Sequence, residues 1–95
     1  MSTTIEKIMS ITRTEFEASL TGLDPVAQLD ADGIVRVTHA AGHGLIRFEA
    51  LPKRRLGGLI HMPQARVTID LTALPAPERS TFLRRFEIAF QRGGG

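Results

Sequence analysis

The chain has 95 residues, of which 42% are hydrophobic and 23% are charged, and its formal net charge is +2. These proportions are those of a globular protein, so residues 1–95 are expected to form a single small domain. The absence of cysteine excludes disulfides, thiolate metal sites and cysteine nucleophiles. No apolar run approaches a membrane span, and the first residues do not form a signal peptide, so we expect a cytoplasmic protein that does not enter membranes.

The charges are distributed unevenly along the chain. Residues 1–50 contain four basic and seven acidic side chains, whereas residues 51–95 contain eight basic and three acidic ones. Ten of the twelve basic residues are arginine, whose planar guanidinium binds carboxylates and phosphates in a bidentate manner. The basic C-terminal half indicates an anionic partner. The alternative is that the two halves simply neutralise each other.

The first helix is defined by the signals at its two ends. Residues 1–10 precede it and are expected to form an arm or an edge strand, because their apolar positions fit both a helical and a strand pattern in part. Thr12 and Glu15 have the spacing of a capping box. Gly22 is a natural residue to end a helix, which is therefore predicted over 13–21.

The middle of the chain is predicted to consist of β-strands. Asp32-Gly33 is a strong hairpin-turn signal between two β-favourable segments. A glycine-rich connector at 41–44 follows this hairpin, and Pro52 is expected to end the next strand. The predicted strands are, in chain order, 26–29, 34–38, 45–51, a short strand or irregular stretch at 56–62, and 66–72.

The last element is a helix that begins near Pro77 and ends around Arg92, where three glycines (93–95) form a flexible tail. Its core-facing stripe consists of Phe82, Leu83, Phe86, Ala89 and Phe90. The element order α–β–β–β–(β)–β–α predicts an α+β fold. We expect a single antiparallel β-sheet of four to five strands with the two helices packed on one face.

No arrangement of side chains indicates catalysis. None of the serines lies in a nucleophile elbow, and no glycine motif for binding phosphate is present. His39, His43 and His61 are candidates for a metal or small-ligand site, but solvated loop histidines are the simpler interpretation. We therefore expect a protein that is not an enzyme, with no cofactor and no metal.

The most informative segment for function is Lys53-Arg54-Arg55, which is predicted to lie in a loop. Two glycines, Gly57 and Gly58, follow it and would let backbone N–H groups approach a ligand closely. The three cations would supply charge for an anionic partner. One structural alternative is a solvated turn whose charges pair with Glu49 or Asp70. In another, the two glycines are needed for tight packing against a helix.

The outer face of the last helix is the second candidate surface. In helical projection Ile88 lies opposite the core stripe, and three arginines (Arg84, Arg85 and Arg92) lie on either side of it. An exposed apolar residue surrounded by arginines is typical of a small interface. The alternative is a solvated basic face that tolerates one isoleucine.

The end of the chain, Arg92-Gly93-Gly94-Gly95, resembles the tail of ubiquitin-like modifiers, which are conjugated through terminal glycines. In that fold a strand precedes the tail, whereas here the sequence predicts a helix. The glycines are therefore interpreted as the stop of the helix.

Two functional hypotheses follow. The first is a non-enzymatic interaction or accessory module that docks an acidic protein surface through the basic loop and the last helix. The alternative is a nucleic-acid-binding protein that contacts the phosphate backbone through the same basic surface. The small size of the domain also makes a homodimer a possible state, because a core of this size gives limited stability.

Overall fold

Four antiparallel strands form one sheet in the computed structural model, which describes residues 3–58 and 60–91. The order across the sheet is β1-β4-β3-β2. Consecutive hairpins join β2, β3 and β4. β1, near the start of the chain, pairs with β4 in a register that runs from Thr4↔Asp70 to Met9↔Ala65. Residues 1–10 thus contribute an edge strand. The bounds are β1 (Thr4–Met9), β2 (Ile34–His39), β3 (Gly42–Leu56) and β4 (Ile60–Asp70).

Two helices, α1 (Arg13–Leu23) and α2 (Ala76–Ala89), accompany this sheet and pack against each other and its core face. The predicted α+β class is therefore confirmed. The capping box of α1 is present: Thr12 Oγ1 accepts a hydrogen bond from the Glu15 N–H at 3.1 Å, and the Thr12 N–H donates to Glu15 Oε1 at 2.9 Å. The predicted end at Gly22 is wrong, because the helix continues to Leu23, which is buried.

The hydrophobic core lies between the helices and one face of the sheet. Phe86 and Phe90 stack with ring centroids 4.3 Å apart, and Phe16 of α1 lies 4.9 Å from both Phe90 and Phe48. Alternate strand residues complete the core because successive side chains of a strand point to opposite faces. The buried strand residues are Val35, Val37, Ile46, Phe48, Ala65, Val67 and Ile69.

Several of the predicted strands differ from the structure, and the stretches predicted separately at 56–62 and 66–72 contribute to one strand, β4. Residues 26–29 are not a strand, and Val26 is 85% exposed. The turn at Asp30 does form, but its carboxylate accepts from the N–H groups of Asp32 and Ile34, so local hydrogen bonds replace a strand ladder. Residues 42–44 are not a connector, because they already belong to β3 and pair with β2.

A two-residue turn, Ala40-Ala41, joins β2 to β3, and Ala40 has φ +51°. This left-handed conformation costs a residue with a Cβ about 1–2 kcal/mol. We expect Ala40→Gly to raise the free energy of unfolding by about 0.5–1 kcal/mol, the strain relief being offset in part by the greater freedom of glycine in the unfolded chain. Urea denaturation measures this change. Ala41→Gly is the control, and an equal stabilisation there would contradict the assignment of strain to Ala40.

Candidate interaction surface

β3 and β4 continue beyond the rest of the sheet as a two-stranded ribbon. The pairing with β2 ends at Arg47 of β3, and the pairing with β1 ends at Ala65 of β4. β3 and β4 nevertheless remain paired with each other as far as Leu56↔Ile60. We call the part of this hairpin at 51–58 and 60–64 the basic ribbon. Its position allows a partner to approach both of its faces.

Lys53, Arg54 and Arg55 belong to strand β3, so the prediction that they lie in a loop is wrong. The strand passes Pro52 through a β-bulge: Leu51 pairs with Gln64, and the next pair is Arg54 with Met62. Two residues of β3 therefore lie opposite the single residue Pro63. A bulge accommodates proline because its extra residue does not have to donate a ladder hydrogen bond.

The ribbon is cationic and has no acidic residue of its own. The segment 50–65 contains no Asp or Glu. Lys53 and Arg55 are exposed, and no salt bridge among the described residues involves either of them. His61 is exposed and pairs with Arg55 in the β3–β4 register, and its neighbour Met62 is 38% exposed. The ribbon therefore presents positive charge together with an apolar side chain.

The two glycines lie at the tip of the ribbon and do not pack against a helix. Gly57 has φ +72°, a conformation that glycine adopts without strain and that the reversal of the chain requires here. A Cβ added at Gly57 or Gly58 would meet no atom within 4 Å. The interpretation that these glycines are needed for tight packing is therefore wrong. Gly57 serves the turn itself.

On the open face of the sheet, in contrast, carboxylates accompany some of the arginines. Arg66 of β4 lies 3.3 Å from Glu49 of β3 and 3.7 Å from Glu6 of β1, so one charge network joins three neighbouring strands. The pKa of Asp70 is lowered, because the hydroxyl and the backbone N–H of Thr72 donate hydrogen bonds to its carboxylate. This face is mixed in sign, whereas the charged residues of the ribbon are all basic.

On α2, Arg84 and Arg85, which were predicted to lie on either side of Ile88, have different surroundings. Arg84 is exposed, and Ile88 is 67% exposed, as expected for an outward face. Arg85 instead points between the elements, where its guanidinium donates hydrogen bonds at 2.7 Å to the carbonyl oxygen of Leu23 and at 2.7 Å to Nδ1 of His39. Arg85 thus holds α2 to α1 and β2. Arg92 and the predicted glycine tail (93–95) lie outside the described residues.

The three histidines are in different surroundings. His39 is buried, with Nδ1 bonded to Arg85, Nε2 3.3 Å from Glu78, and its ring edge-on to Phe82. His43 lies on β3 opposite Thr38, and His61 lies on the ribbon. Within the described part of the chain, no group of three or more His, Asp or Glu residues is arranged to hold a metal ion.

A groove beside β1 was not predicted from the sequence. It has a volume of about 710 Å³ and lies between the edge strand and the C-terminal half of α2. Its lining includes Lys7 and Ile8 from β1 and Arg84, Glu87 and Ile88 from α2. The signal available in the sequence was Ile8, an apolar residue in a segment whose other apolar positions, Ile5 and Met9, pack against the core.

No family model, curated protein or solved structure that was compared matches the chain. Neither described helix is long and apolar enough to cross a membrane.

Proposed function

We propose that the protein is a non-enzymatic interaction module that binds an acidic segment of another protein through the basic ribbon. The observation that carries the proposal is the ribbon itself, a projecting hairpin with exposed Lys53 and Arg55 and no neighbouring carboxylate in its own sequence. Uncompensated cations on a projecting element attract acidic partners and orient their approach. The interaction is expected to weaken as salt increases.

The composition of the ribbon supports a protein partner. Arginine and methionine are enriched in protein interfaces, and the ribbon combines Arg55 with the partly exposed Met62. Because paired strands already fix the backbone that carries these side chains, little backbone entropy is lost on binding. An acidic, partly apolar segment therefore fits the ribbon better than a purely ionic ligand does.

Charge reversal on the ribbon tests this proposal. A fluorescent peptide rich in Glu and Asp is titrated at low salt, with anisotropy as the readout. The variant Lys53→Glu/Arg55→Glu should bind the peptide at least about tenfold more weakly than wild type, because two attractions become repulsions. The matched control, Arg36→Glu/Arg47→Glu, changes net charge equally at two exposed strand positions outside the ribbon.

The control variant should bind within about twofold of wild type. Equal weakening by both variants would show that net charge alone attracts the peptide, and the ribbon assignment would be wrong. Circular dichroism of each variant confirms that the fold is retained.

Duplex nucleic acid is the second candidate partner, and the ribbon is also the observation that favours it. The major groove of B-DNA admits a two-stranded β-ribbon, in which Lys and Arg can contact phosphates. All five phenylalanines are buried, however, so the described surface has no aromatic platform on which unpaired bases could stack. A duplex of about 20 base pairs that competes effectively with the acidic peptide would favour this second candidate.

A further inference from the structure

The outer edge of β1 is open, and it forms one wall of the groove described above. β1 pairs with β4 along one side only, because it is the first strand in the order β1-β4-β3-β2. Its other side therefore presents backbone N–H and C=O groups that no strand of the described chain pairs. An open edge of this kind is a template for another strand.

Exposed apolar side chains are concentrated at this groove. Four large hydrophobic residues of the described chain are exposed, and two of them, Ile8 at 53% and Ile88 at 67%, line it. Ile88 comes from α2, and Ile8 comes from β1, where it alternates with the core-packing Ile5 and Met9. The edge strand and the helix therefore each place an exposed apolar residue beside the groove. The flanking residues Lys7, Arg84 and Glu87 give this surface a charged rim, which is the usual anatomy of a protein interface.

We propose that a second copy of this chain occupies the groove, with the two β1 strands antiparallel about a twofold axis. The charges of α2 support a second copy as the occupant. The twofold axis that relates the β1 strands also makes the two α2 helices antiparallel. Arg84 precedes Glu87 by one turn on the exposed side of the helix. Antiparallel helices therefore place Arg84 of each copy beside Glu87 of the other, and Ile88, the residue after Glu87, flanks each of these pairs.

The same axis fixes the direction of the basic ribbons. β1 runs from Thr4 opposite Asp70 to Met9 opposite Ala65, and the ribbon lies beyond Ala65. Antiparallel pairing of two β1 strands therefore joins two four-stranded sheets into one of eight strands, with the ribbons projecting at opposite ends. The dimer surface does not include the ribbon, so this proposal stands independently of the acidic partner.

Sedimentation equilibrium with charge-exchanged variants tests the dimer. Wild type should have the mass of a dimer at about 100 μM, above the micromolar Kd expected of a modest interface. Arg84→Glu and Glu87→Arg should each weaken association at least about tenfold, because each sets like charges against one another. The double variant Arg84→Glu/Glu87→Arg should recover to within about threefold of wild type, since it restores opposite charges.

Recovered association in the double variant would show that the single variants lose an interface contact rather than their fold. Circular dichroism checks the fold of each single variant directly. Ile88→Glu should also give a monomer, and Arg36→Glu, which lies on the opposite edge strand, should leave the dimer intact. A wild type that is monomeric at about 100 μM would overturn the proposal. A dimer that withstands Ile88→Glu and both single charge changes would overturn it too, because another surface would then hold the copies together.

Discussion

Gly44→Ala is expected to lower the free energy of unfolding by about 2–3 kcal/mol, the cost of forcing extra volume into a filled core. A Cβ at this position would lie 2.5 Å from Cζ of Phe82 and 2.9 Å from Cε1 and Cε2. Phe82 is fully buried, and its ring also packs edge-on against His39. The ring therefore cannot move away without disturbing α2, β2 and the start of β3 together.

Urea denaturation measures the effect, and Gly58→Ala is the matched control. A Cβ at Gly58 meets no atom within 4 Å, so that variant should change stability by less than about 0.5 kcal/mol. Phe82→Leu supplies a second test, because a shorter side chain opens space for the new methyl group. Phe82→Leu should cost less stability in the Gly44→Ala background than in wild type. Equal stability losses for Gly44→Ala and Gly58→Ala would contradict the close approach of β3 and α2.

Arg85→Met is expected to destabilise the protein by about 3 kcal/mol, since it removes two charge-assisted hydrogen bonds from a partly buried site. The Leu23 carbonyl would lose its bond from Arg85 at the C-terminal end of α1, and His39 would lose the donor to Nδ1. Methionine retains much of the length and apolar stem of arginine. The loss therefore reports on the guanidinium rather than on packing.

Arg84→Met is the control for this prediction, because it changes the neighbouring arginine of the same helix, which is exposed. We expect it to alter stability by less than about 0.5 kcal/mol when both variants are measured at a low protein concentration. Hydrogen exchange should also be faster at the C-terminal turn of α1 in Arg85→Met and unchanged in Arg84→Met. If the two variants were equally stable, Arg85 would not hold the helices together.

The elements that the sequence predicts well are those whose signals are local. The capping box of Thr12 and Glu15 lies within one helical turn, and the apolar stripe of α2 repeats at the helical period. The strand predicted at 66–72 likewise overlaps β4, where Val67 and Ile69 alternate on the buried face. Such patterns need no knowledge of distant residues.

The errors occurred where distant residues decide the structure. Pro52 would ordinarily end a strand, but pairing with β4 continues through a bulge, so the basic segment is strand rather than loop. The strand predicted at 26–29 does not join the sheet, and local hydrogen bonds to the carboxylates of Asp24 and Asp30 hold the chain in turns on either side of it. Such outcomes depend on which strands become neighbours, and a local pattern carries no information on this.

The candidate surface was predicted in part. The sequence identified the cationic segment Lys53–Arg55 and the exposed Ile88 of α2 as features of interest. Helical projection could not show that Arg84 is exposed and Arg85 is partly buried. Neighbouring residues of a helix differ by 100° in direction, and a long side chain between the two faces can bend towards either one. The groove was missed because it joins Ile8 and Ile88, which lie near opposite ends of the chain.

The pairing of β1 with β4 has a consequence for the order in which the chain folds. β2, β3 and β4 are joined by short turns and can form a meander from local contacts, whereas β1 must meet a strand far along the chain. Closing that long loop costs more chain entropy, so β1 is expected to be secured last. A strand that arrives late can also be captured by another molecule's β4. Exchange of β1 between copies is therefore the route by which folding at high concentration would most readily yield intertwined chains.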